Sequence, residues 1–573
     1  MQERWCLRRG DPEVEALLRQ ELGVSSLVGR LLVNRGIRTP EEAVRFLEPR
    51  LKEGLRSPFL FRDMTRAADR VIVALAQKET IAIYGDYDLD GISGSALLFS
   101  FLRSLGTEPL VYIPDRVREG YGLNAEAVQG LAHRGVKLLI TVDCGGASHR
   151  EVEFARSLGL DVIVCDHHQV PEVPPPAFAI LNPAAPDSGF PFSGLCGAGT
   201  AFYLAWGVRN RLRDNREAGA PELRDLLDLV ALGTIADLVP LERENRVLVR
   251  HGLTTLEQGQ RLGIAALKSV AGVEQVTSAA VAFRLAPRLN AAGRLSSASL
   301  SLELLTTCDP QRALDLAQIL QATNRERQAT ESAILNEALA LCRNDPQWDE
   351  RATIVLASSN WHPGVIGIVA ARLAQRFHRP TALIALEPET GLGRGSVRSI
   401  PGIHCYEALR SCRNYLVAFG GHPMAAGFTI ARSELDNFSQ AFDSAVKSQA
   451  ASPSILTVWA DCEVQLDRLD VRSLLEAATV LEPFGPGNPE PVFFARNTRL
   501  RAPQAFGGDH LRVFIEQNGK ALPARWFQWG DQPLPPPDVM FDILFTVEPS
   551  KHKSDGPVYL RLLRLRPSRS RTS

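Results

Sequence analysis

The stretch TIAIYGDYDLDGISGSALL, residues 80–98, sets three aspartates at alternate positions after a short apolar run: Asp86, Asp88 and Asp90. Alternate residues of an extended chain point the same way, so the three carboxylates can converge on one point. Carboxylates in a small volume repel each other unless a cation offsets their charge. Mg²⁺ and Mn²⁺ prefer such oxygen ligands. The stretch therefore predicts a metal site where a strand turns into a helix.

The same D-x-D-x-D-G pattern also opens the calcium loop of an EF-hand. That loop needs a Glu at its twelfth position and a helix in front of it. Counted from Asp86, the twelfth residue is Leu97, and residues 80–84 have the pattern of a strand. These two mismatches argue against an EF-hand. An acidic turn without a metal stays open on this stretch alone.

Composition limits the possible classes of protein. A chain of 573 residues should form three or four domains, because single cores stop growing near ~250–300 residues. The net charge is −1, from 64 basic and 65 acidic side chains, which argues against a wholly basic nucleic-acid coat but allows a local basic groove. No apolar run reaches the ~18 residues of a membrane span, and the N-terminus lacks the apolar core of a signal peptide. The nine cysteines contain no C-x-x-C pair, so neither disulfides nor a zinc cluster are expected. We expect a cytoplasmic protein with no membrane association.

Residues 66–181 alternate between helical and strand patterns. Strands are predicted at 80–84, 109–113, 137–142, 161–165 and 178–181, and helices at 66–77, 92–105, 124–134 and 148–158. Such alternation predicts a parallel, doubly wound sheet. In these sheets, ligands bind beyond the carboxyl ends of the strands.

Three further stretches put metal-ligating side chains at that edge. Asp143 ends the run KLLITVD, while Asp166, His167 and His168 follow DVIVC. Asp237 follows the apolar helix of LVALGTIADLVP. Each alone is more typical of a cap, a turn or a surface histidine. Together with the aspartate triplet they predict a site for two metal ions.

These motifs resemble the DHH phosphoesterase superfamily, named for the triplet at residues 166–168, and within it the RecJ family of single-strand-specific 5′→3′ DNA exonucleases. The runs that carry the resemblance span residues 84–494: YGDYDLDGISGSAL, IPDRVREGYGLN, TVDCGG, CDHH, GTIADLVPL, RLAPRLNAAGRL, WHPGVIGIVAARLAQRFHRPT, GRGSVRS, FGGHPMAAGF and EPFGPGNPEPVF. It implies an α/β fold with a doubly wound parallel-sheet DHH domain, a long connecting helix, a second α/β domain (DHHA1) and a C-terminal OB-like β barrel.

The pattern along the chain agrees with that order of domains. We assign an N-terminal accessory segment of small helices (1–65), the DHH domain (66–308), the connecting helix (309–345), the DHHA1 domain (346–446) and the OB-like nucleic-acid-binding domain (455–573). Asp309 should cap a helix over 310–343. Residues 447–454, KSQAASPS, have the composition of a linker, and the short alternating strands after them predict a small barrel.

The resemblance also implies roles for particular residues. It assigns two Mn²⁺ or Mg²⁺ ions to Asp86, Asp88, Asp90, Asp143, His167, His168 and Asp237. Asp143 is the best candidate to bridge the two ions, Asp88 and Asp90 are firmer ligands than Asp86, and His168 either binds a metal or contacts the scissile phosphate. The substrate-binding residues are Arg116, Tyr121, Asn290, Arg294, Ser396, Arg398, Gly420, Gly421 and His422, with Arg116 and Tyr121 at the 5′ end. The residues expected to act in catalysis are Asp86, Asp143, His168, Arg294 and His422.

The implied activity is metal-dependent hydrolysis of single-stranded DNA from its 5′ end to 5′-mononucleotides, in DNA repair and recombination. A pair of ions activates water and clamps the attacking and leaving oxygens of a phosphodiester. Two alternatives are a DHH phosphoesterase that acts on short oligonucleotides or cyclic dinucleotides, and a non-catalytic single-strand-binding relative. The C-terminal β module argues against the first, and the intact ligand positions argue against the second. A monomer that works with a helicase and a single-stranded-DNA-binding protein is expected by resemblance.

Overall fold

The computed structural model describes residues 3–116, 118–214, 221–449, 456–468, 470–506, 510–527, 529–530, 536, 539–550 and 558–568. Residues 450–454 of the predicted linker lie outside these ranges. The chain forms two compact units. One comprises Met1–Ser57, Leu238–His251 and Ile455–Ser573, and the other comprises Pro58–Asp237 and Gly252–Ser454.

The strands are β1 (Glu3–Leu7), β2 (Thr80–Gly85), β3 (Leu110–Tyr112), β4 (Val136–Val142), β5 (Asp161–Cys165), β6 (Ala179–Leu181), β7 (Ile354–Ser358), β8 (Thr381–Leu386), β9 (Leu392–Arg398), β10 (Ala418–Gly421), β11 (Ala425–Ala431), β12 (Leu456–Ala460), β13 (Cys462–Glu463), β14 (Phe493–Phe506), β15 (His510–Gln517), β16 (Lys520–Trp526), β17 (Phe541–Pro549) and β18 (Val558–Pro567).

The helices are α1 (Pro12–Leu22), α2 (Ser26–Val33), α3 (Pro40–Leu47), α4 (Leu51–Gly54), α5 (Met64–Gln77), α6 (Leu89–Ser104), α7 (Ala125–His133), α8 (His149–Ser157), α9 (Gly197–Asp214), α10 (Leu227–Ala236), α11 (Arg243–Gln258), α12 (Leu262–Ala271), α13 (Ser278–Ala280), α14 (Ala286–Leu295), α15 (Ser299–Thr306), α16 (Pro310–Arg343), α17 (Ile366–Phe377), α18 (Cys405–Ser411), α19 (Leu435–Gln449) and α20 (Val471–Val480). Among the residues described, none of these helices has the length and apolar character needed to cross a bilayer.

The first lobe of the larger unit is built on a five-stranded sheet in the order β3-β2-β4-β5-β6. Every neighbouring pair in it is parallel. From β2, the next strand lies on one side and the following strands lie on the other, so the strand order reverses at β2. Ligands bind beyond the carboxyl ends of strands at such a reversal. The predicted doubly wound parallel sheet is confirmed.

The connecting helix and the second lobe complete this unit. Helix α16 begins at Pro310, and the Asp309 carboxylate accepts hydrogen bonds from the N–H groups of Gln311 and Arg312, as an N-cap does. The second lobe has a mixed sheet in the order β10-β11-β9-β8-β7, in which β7 and β8 are parallel and the other pairs antiparallel.

The smaller unit contains the β barrel. Strands β14-β15-β16-β18-β17 follow one another around it, and pairing of β14 with β17 closes the ring. The predicted OB-like barrel is confirmed. Strand β1 in this unit was not predicted, since residues 1–65 were interpreted as helical. Trp5 of β1 pairs with Val458 of β12, a partner more than 450 residues away along the chain, which no local pattern reveals.

Helix α6 also differs from its predicted bounds. It begins at Leu89, three residues before the predicted start, because the Asp88 carboxylate accepts hydrogen bonds from the N–H groups of Asp90 and Gly91. Leu97 lies buried inside this helix, so the chain after the aspartates is helical where an EF-hand would have its loop.

Candidate metal centre and phosphate-binding cleft

Two neighbouring strands of the parallel sheet each end in an aspartate. Asp86 follows β2, and its N–H donates to the Val142 carbonyl at 3.1 Å. Asp143 follows β4, and its N–H donates to the Cys165 carbonyl at 2.9 Å. The sheet hydrogen bonding thus continues one residue past the strands and fixes both carboxylates at the same edge. Asp143 has a φ of +63°, in the left-handed region that aspartate adopts more readily than most residues.

The other two aspartates of the triplet are held by helix N-termini. Asp88 caps α6 through Oδ1, which accepts from the N–H groups of Asp90 at 3.0 Å and Gly91 at 3.3 Å. The carboxylate of Asp90 accepts from the N–H groups of Gly197 at 2.5 Å and Ala198 at 2.9 Å, at the start of α9. A carboxylate has about four lone-pair sites, so these bonds leave capacity for a metal ion.

All seven predicted ligands come together. Ligand atoms lie within 4.8 Å of one another in three groups: Asp86, Asp88 and Asp143; Asp143, His167 and His168; and Asp90, His167 and Asp237. The Nε2 atom of His167 lies 3.0 Å from Asp143 Oδ1 and 3.5 Å from Asp237 Oδ2. Because Asp143 belongs to two groups, it occupies the position that a bridging ligand needs.

The carboxylates of these groups are electrostatically unfavourable without a cation. Burial, and then the charge of Asp88, raise the pKa of Asp86 well above its ordinary range. Burial and the charge of Asp90 do the same to the pKa of Asp143, and raise the pKa of Asp237 to about 8. The Oδ1 atom of Asp86 is buried without a hydrogen-bond partner among the residues described. The donor set and its repulsion fit hard divalent cations.

The imidazoles add nitrogen ligands to the same groups. Burial lowers the pKa of His167, which keeps the ring neutral, and the neutral ring is the form that binds metals. His167 is shared by two of the three groups. The site therefore offers the oxygen and nitrogen ligands of a two-ion centre.

Asp166 was placed at the sheet edge by its sequence but was assigned no role. Its Oδ1 accepts from His168 Nδ1 at 2.8 Å, and its Oδ2 accepts from the N–H of Gly146 at 2.7 Å. Burial raises the pKa of Asp166, but the hydrogen bond and the charge of His168 outweigh it and bring the pKa to about 2. Burial lowers the pKa of His168, and the bond to Asp166 more than offsets this, giving about 9. Asp166 thus orients His168. The first aspartate of the D-H-H triplet was the signal for this role.

We call the three groups of candidate ligands the metal-binding groups. They face the second lobe across a cavity of about 970 Å³, which we call the cleft. Of the predicted site residues, the following line it: Asp86, Asp88, Arg116, Tyr121, Asp143, His168, Asn290, Arg294, Ser396, Arg398, Gly420, Gly421 and His422. The remaining three, Asp90, His167 and Asp237, belong to the metal-binding groups but do not line the cleft.

Three arginines give the cleft a phosphate-binding character. Burial, then the charges of Arg116 and Arg398, lower the pKa of Arg294 to about 9. Burial and the charge of Arg116 also lower the pKa of Arg398. Arg398 Nη1 donates to Ser396 Oγ at 2.9 Å, which orders both side chains of β9. A bound phosphate would relieve the mutual repulsion of these guanidinium groups.

Two predicted substrate-binding residues have protein partners. Asn290 Oδ1 accepts from the Leu89 N–H at 2.9 Å, so its amide oxygen holds the start of α6. The Tyr121 side chain is half exposed, and its hydroxyl donates to the Asp143 carbonyl at 3.1 Å. The same hydroxyl lies 3.0 Å from His168 Nδ1. Tyr121 therefore extends from the surface to the metal-binding groups.

The two adjacent glycines of the second-lobe turn, Gly420 and Gly421, have different steric surroundings. Gly421 has a φ of +143°, and a Cβ there would lie 2.4 Å from the Ala426 Cα, so only glycine fits. A Cβ at Gly420 would meet nothing within 4 Å, so its missing side chain leaves open space. The next residue, His422, stacks on His168 with ring centroids 5.8 Å apart, which brings the two lobes together beside the metal-binding groups.

Comparison with known proteins identifies three family segments. Residues 80–234 match the DHH family, N-terminal domain, residues 351–448 match the DHHA1 domain, and residues 460–562 match the RecJ OB domain. These segments occur in the order predicted from the sequence.

Curated relatives and a solved structure match over most of the chain. The single-stranded-DNA-specific exonuclease RecJ of Bacillus subtilis (strain 168) is 37% identical over 533 residues, covering 92% of this chain and 66% of that protein. The protein of the same name from Dickeya dadantii (strain 3937) is 39% identical over 511 residues, covering 86% of this chain and 87% of its own. The crystal structure of RecJ from Thermus thermophilus in complex with Mn²⁺ has a TM-score of 0.84 and 31% identity, covering 99% of this chain and 80% of that one. A further structure of the T. thermophilus protein contains Mg²⁺.

Proposed function

The chain belongs to the RecJ family of single-stranded-DNA-specific exonucleases, and from this premise we propose that it hydrolyses single-stranded DNA stepwise from the 5′ end to 5′-mononucleotides. The observation that carries the proposal is the cleft. It sets a cluster of carboxylates and imidazoles on one lobe opposite serine, arginine and glycine residues on the other.

The metal ligands are assigned from the three groups of side chains. Two of the groups together contain Asp86, Asp88, Asp143, His167 and His168. The third group combines His167 with Asp90 and Asp237. Two Mn²⁺ or Mg²⁺ ions bound there would supply an activated water and positive charge on the attacking and leaving oxygens. The raised pKa values of the aspartates mean that cation binding also relieves a cost of the folded state.

The arginines bind and orient the phosphates. Besides burial, the charges of Arg116 and Arg398 lower the pKa of Arg294, and the charge of Arg116 lowers the pKa of Arg398. A phosphate anion among the three side chains would offset this repulsion. Preorganised cations of this kind stabilise charge that develops on a phosphoryl group. We assign Arg294 to the scissile phosphate, and Arg116, Ser396 and Arg398 to the 5′-terminal phosphate.

The two histidines at the lobe junction have separate tasks. Burial lowers the pKa of His168, but its hydrogen bond to Asp166 raises it to about 9. Without a metal ion Nε2 therefore carries a proton that can be donated to a phosphate oxygen, and a metal ion bound at Nε2 would displace that proton. Burial and the nearby charge of His168 lower the pKa of His422, so its ring is neutral beside the imidazolium. Tyr121 contributes an aromatic ring for the terminal base, since stacking accepts any base.

The direct test is digestion of a single strand labelled at either end. With Mn²⁺, the 5′-labelled strand should release labelled mononucleotide at once, while the 3′-labelled strand should shorten gradually. A duplex of the same sequence should resist. Release from the 3′ end first, or equal cleavage of a dinucleotide and the long strand, would contradict the proposal and favour an enzyme of short oligonucleotides.

The setting of the reaction is also proposed. We assign catalysis to residues 66–446 and single-strand binding to residues 455–573, in a monomer in the cytoplasm. A helicase and a single-stranded-DNA-binding protein would supply and present the strand. Co-purification with tagged chain, with and without nuclease treatment, tests for such partners, because contacts made only through DNA are lost when the DNA is removed.

A further inference from the structure

A second cavity, of about 750 Å³, adjoins the cleft on its second-lobe side. We call it the side cavity. Five residues line both cavities: Tyr87, Arg116, Ser396, Gly420 and Gly427. The two spaces therefore meet along a common boundary, and the cleavage reaction described above makes no use of the second one.

A row of side chains on β9 leads from one space to the other. Arg398, Ser396 and Arg394 occupy alternate positions of the strand, so they point to the same side of the sheet. Arg398 lines the cleft, Ser396 lines both spaces and Arg394 lines the side cavity. At ~3.3 Å per residue, the row covers about 13 Å. An anion that leaves Arg398 thus has a second cation to approach.

The floor beside this row is made of small residues. Ser396 pairs with Gly427, which pairs with Gly420 on the far strand. A Cβ at Gly420 would meet nothing within 4 Å, and one at Gly427 would meet only the Gly395 carbonyl, at 3.7 Å. No side chain of Gly420 or Gly427 therefore blocks the passage between the two cavities along this face of the sheet.

The lining of the side cavity fits a nucleotide. Leu386, Leu392 and Phe419 provide accessible apolar surface for a base. Arg116 and Arg394 provide positive charge for a phosphate and outnumber the carboxylate of Glu387, which also lines the cavity. Its volume is within the ~300–1,000 Å³ of typical small-molecule sites, which is too small for a folded partner. The chemical class that combines these features is a nucleoside 5′-monophosphate.

We propose that the side cavity receives the released nucleoside 5′-monophosphate and is its way out. The inference rests on the proposed function. After cleavage, the remaining strand occupies the cleft beside the metal-binding groups of the first lobe, and the free nucleotide has its phosphate at Ser396 and Arg398 of the second lobe. The side cavity opens from that second-lobe end, so product leaves without displacement of the strand.

The test narrows the side cavity without touching the cleft. Ala418 is exposed, and it lines the side cavity but not the cleft. It pairs with Thr429, which also lines the side cavity, so Ala418→Trp should fill the space. Steady-state turnover on a long single strand with Mn²⁺ should fall about tenfold, because product release becomes rate-limiting. The single-turnover rate of the first cleavage should stay unchanged, and a burst of product equal to the enzyme concentration should appear.

The matched control is Val417→Trp, the same substitution one position earlier. Val417 is exposed and lines neither cavity. Both rates should equal those of the unmodified chain. Thr429→Trp, across the register from Ala418, is a second variant that fills the same space and should reproduce the burst. Thermal unfolding of each variant establishes that it is folded.

Several outcomes would overturn the inference. A parallel fall of single-turnover and steady-state rates would mean that the cavity holds part of the substrate during cleavage. Unchanged turnover in folded Ala418→Trp and Thr429→Trp would also reject it. Absence of any cleavage by the unmodified chain would instead reject the proposed function.

Discussion

The two sheets of the larger unit build opposite sides of the cleft in different ways. The parallel sheet contributes residues that lie beyond its strand ends, such as Asp86 and Asp143. The mixed sheet contributes the face of its strands, with Ser396 and Arg398 on β9 opposite the small residues of β11. The charges are also mirrored, because burial raises the pKa of the aspartates and lowers the pKa of the arginines.

The difference shows that like charges are crowded together at two places in the cleft, one suited to a cation and the other to an anion. On the first lobe, carboxylates crowd around a place that a cation must fill. The guanidinium groups of Arg398 on the second lobe and of Arg116 and Arg294 on the first crowd around a place that an anion must fill. A substrate phosphate with its metal ions satisfies both at once, so each side is incomplete without the other.

The largest effect should come from Asp143→Ala on the first lobe. The substitution removes a ligand that two of the three metal-binding groups share, and each ion contributes several kcal/mol of charge stabilisation. Mn²⁺-dependent single-turnover cleavage should fall by about ten-thousandfold. Asp436→Ala, at an exposed aspartate remote from the cleft, is the control and should keep full activity. Retention of metal-dependent activity by Asp143→Ala would remove the bridging assignment.

Arg294→Met should have the next largest effect. It should reduce the cleavage rate without reducing the stability of the fold. Loss of one preorganised donor to the developing charge should slow cleavage by about a hundred- to a thousandfold. The metal-free protein should unfold at an unchanged or higher temperature, because the substitution removes a guanidinium that burial and two other arginines disfavour. Differential scanning calorimetry checks this. Arg294 Nη1 also donates a hydrogen bond to the Gly364 carbonyl at 3.3 Å, and a marked fall in the unfolding temperature would show that the loss of this bond dominates.

Asp166→Asn tests whether an aspartate outside the ligand set positions His168. The amide oxygen accepts the Nδ1 proton of His168 more weakly than the carboxylate does, so cleavage should fall by about ten- to a hundredfold, as for other partners of metal-site histidines. The Mn²⁺ concentration for half-maximal activity should rise in parallel. Asp187→Asn, at an exposed aspartate that lines neither cavity, should change neither quantity.

The two adjacent glycines of β10 give the smallest predicted effect and the closest matched pair. Gly421→Ala should reduce the free energy of unfolding by about 1–3 kcal/mol, because its φ and its contact with Ala426 leave no room for a Cβ. Gly420→Ala should be nearly neutral, since its Cβ would meet open space. Urea unfolding of both variants checks the difference. Equal loss in both would mean that the turn is not held as rigidly as the geometry requires.

Much of the first lobe could be predicted because its signals are local. Helix α16 was predicted at its observed bounds, and strand β5 at 161–165, from periodicity and capping. Asp86, Asp143 and the histidines follow apolar runs directly, and parallel strands bring their carboxyl ends to one edge. These patterns predicted a two-metal site, and the family resemblance then supplied the set of seven proposed ligands before any contact was known.

Other features depend on contacts between distant residues. The pairing of β1 with β12 joins segments more than 450 residues apart. The amide of Asn290 is engaged by Leu89, and Asp166 takes its role from the hydrogen bond to His168. The side cavity exists because β9, β10 and β11 align small residues beside arginines in one register.

The sequence by itself determined the order of the domains and the residue types at the strand ends, because strand, helix and cap preferences act over a few neighbours. Only the tertiary structure decided which carboxylates share a metal group, which arginines oppose one another and where the cleft continues into the side cavity. Those properties are distances between elements, and packing sets distances that no local pattern encodes.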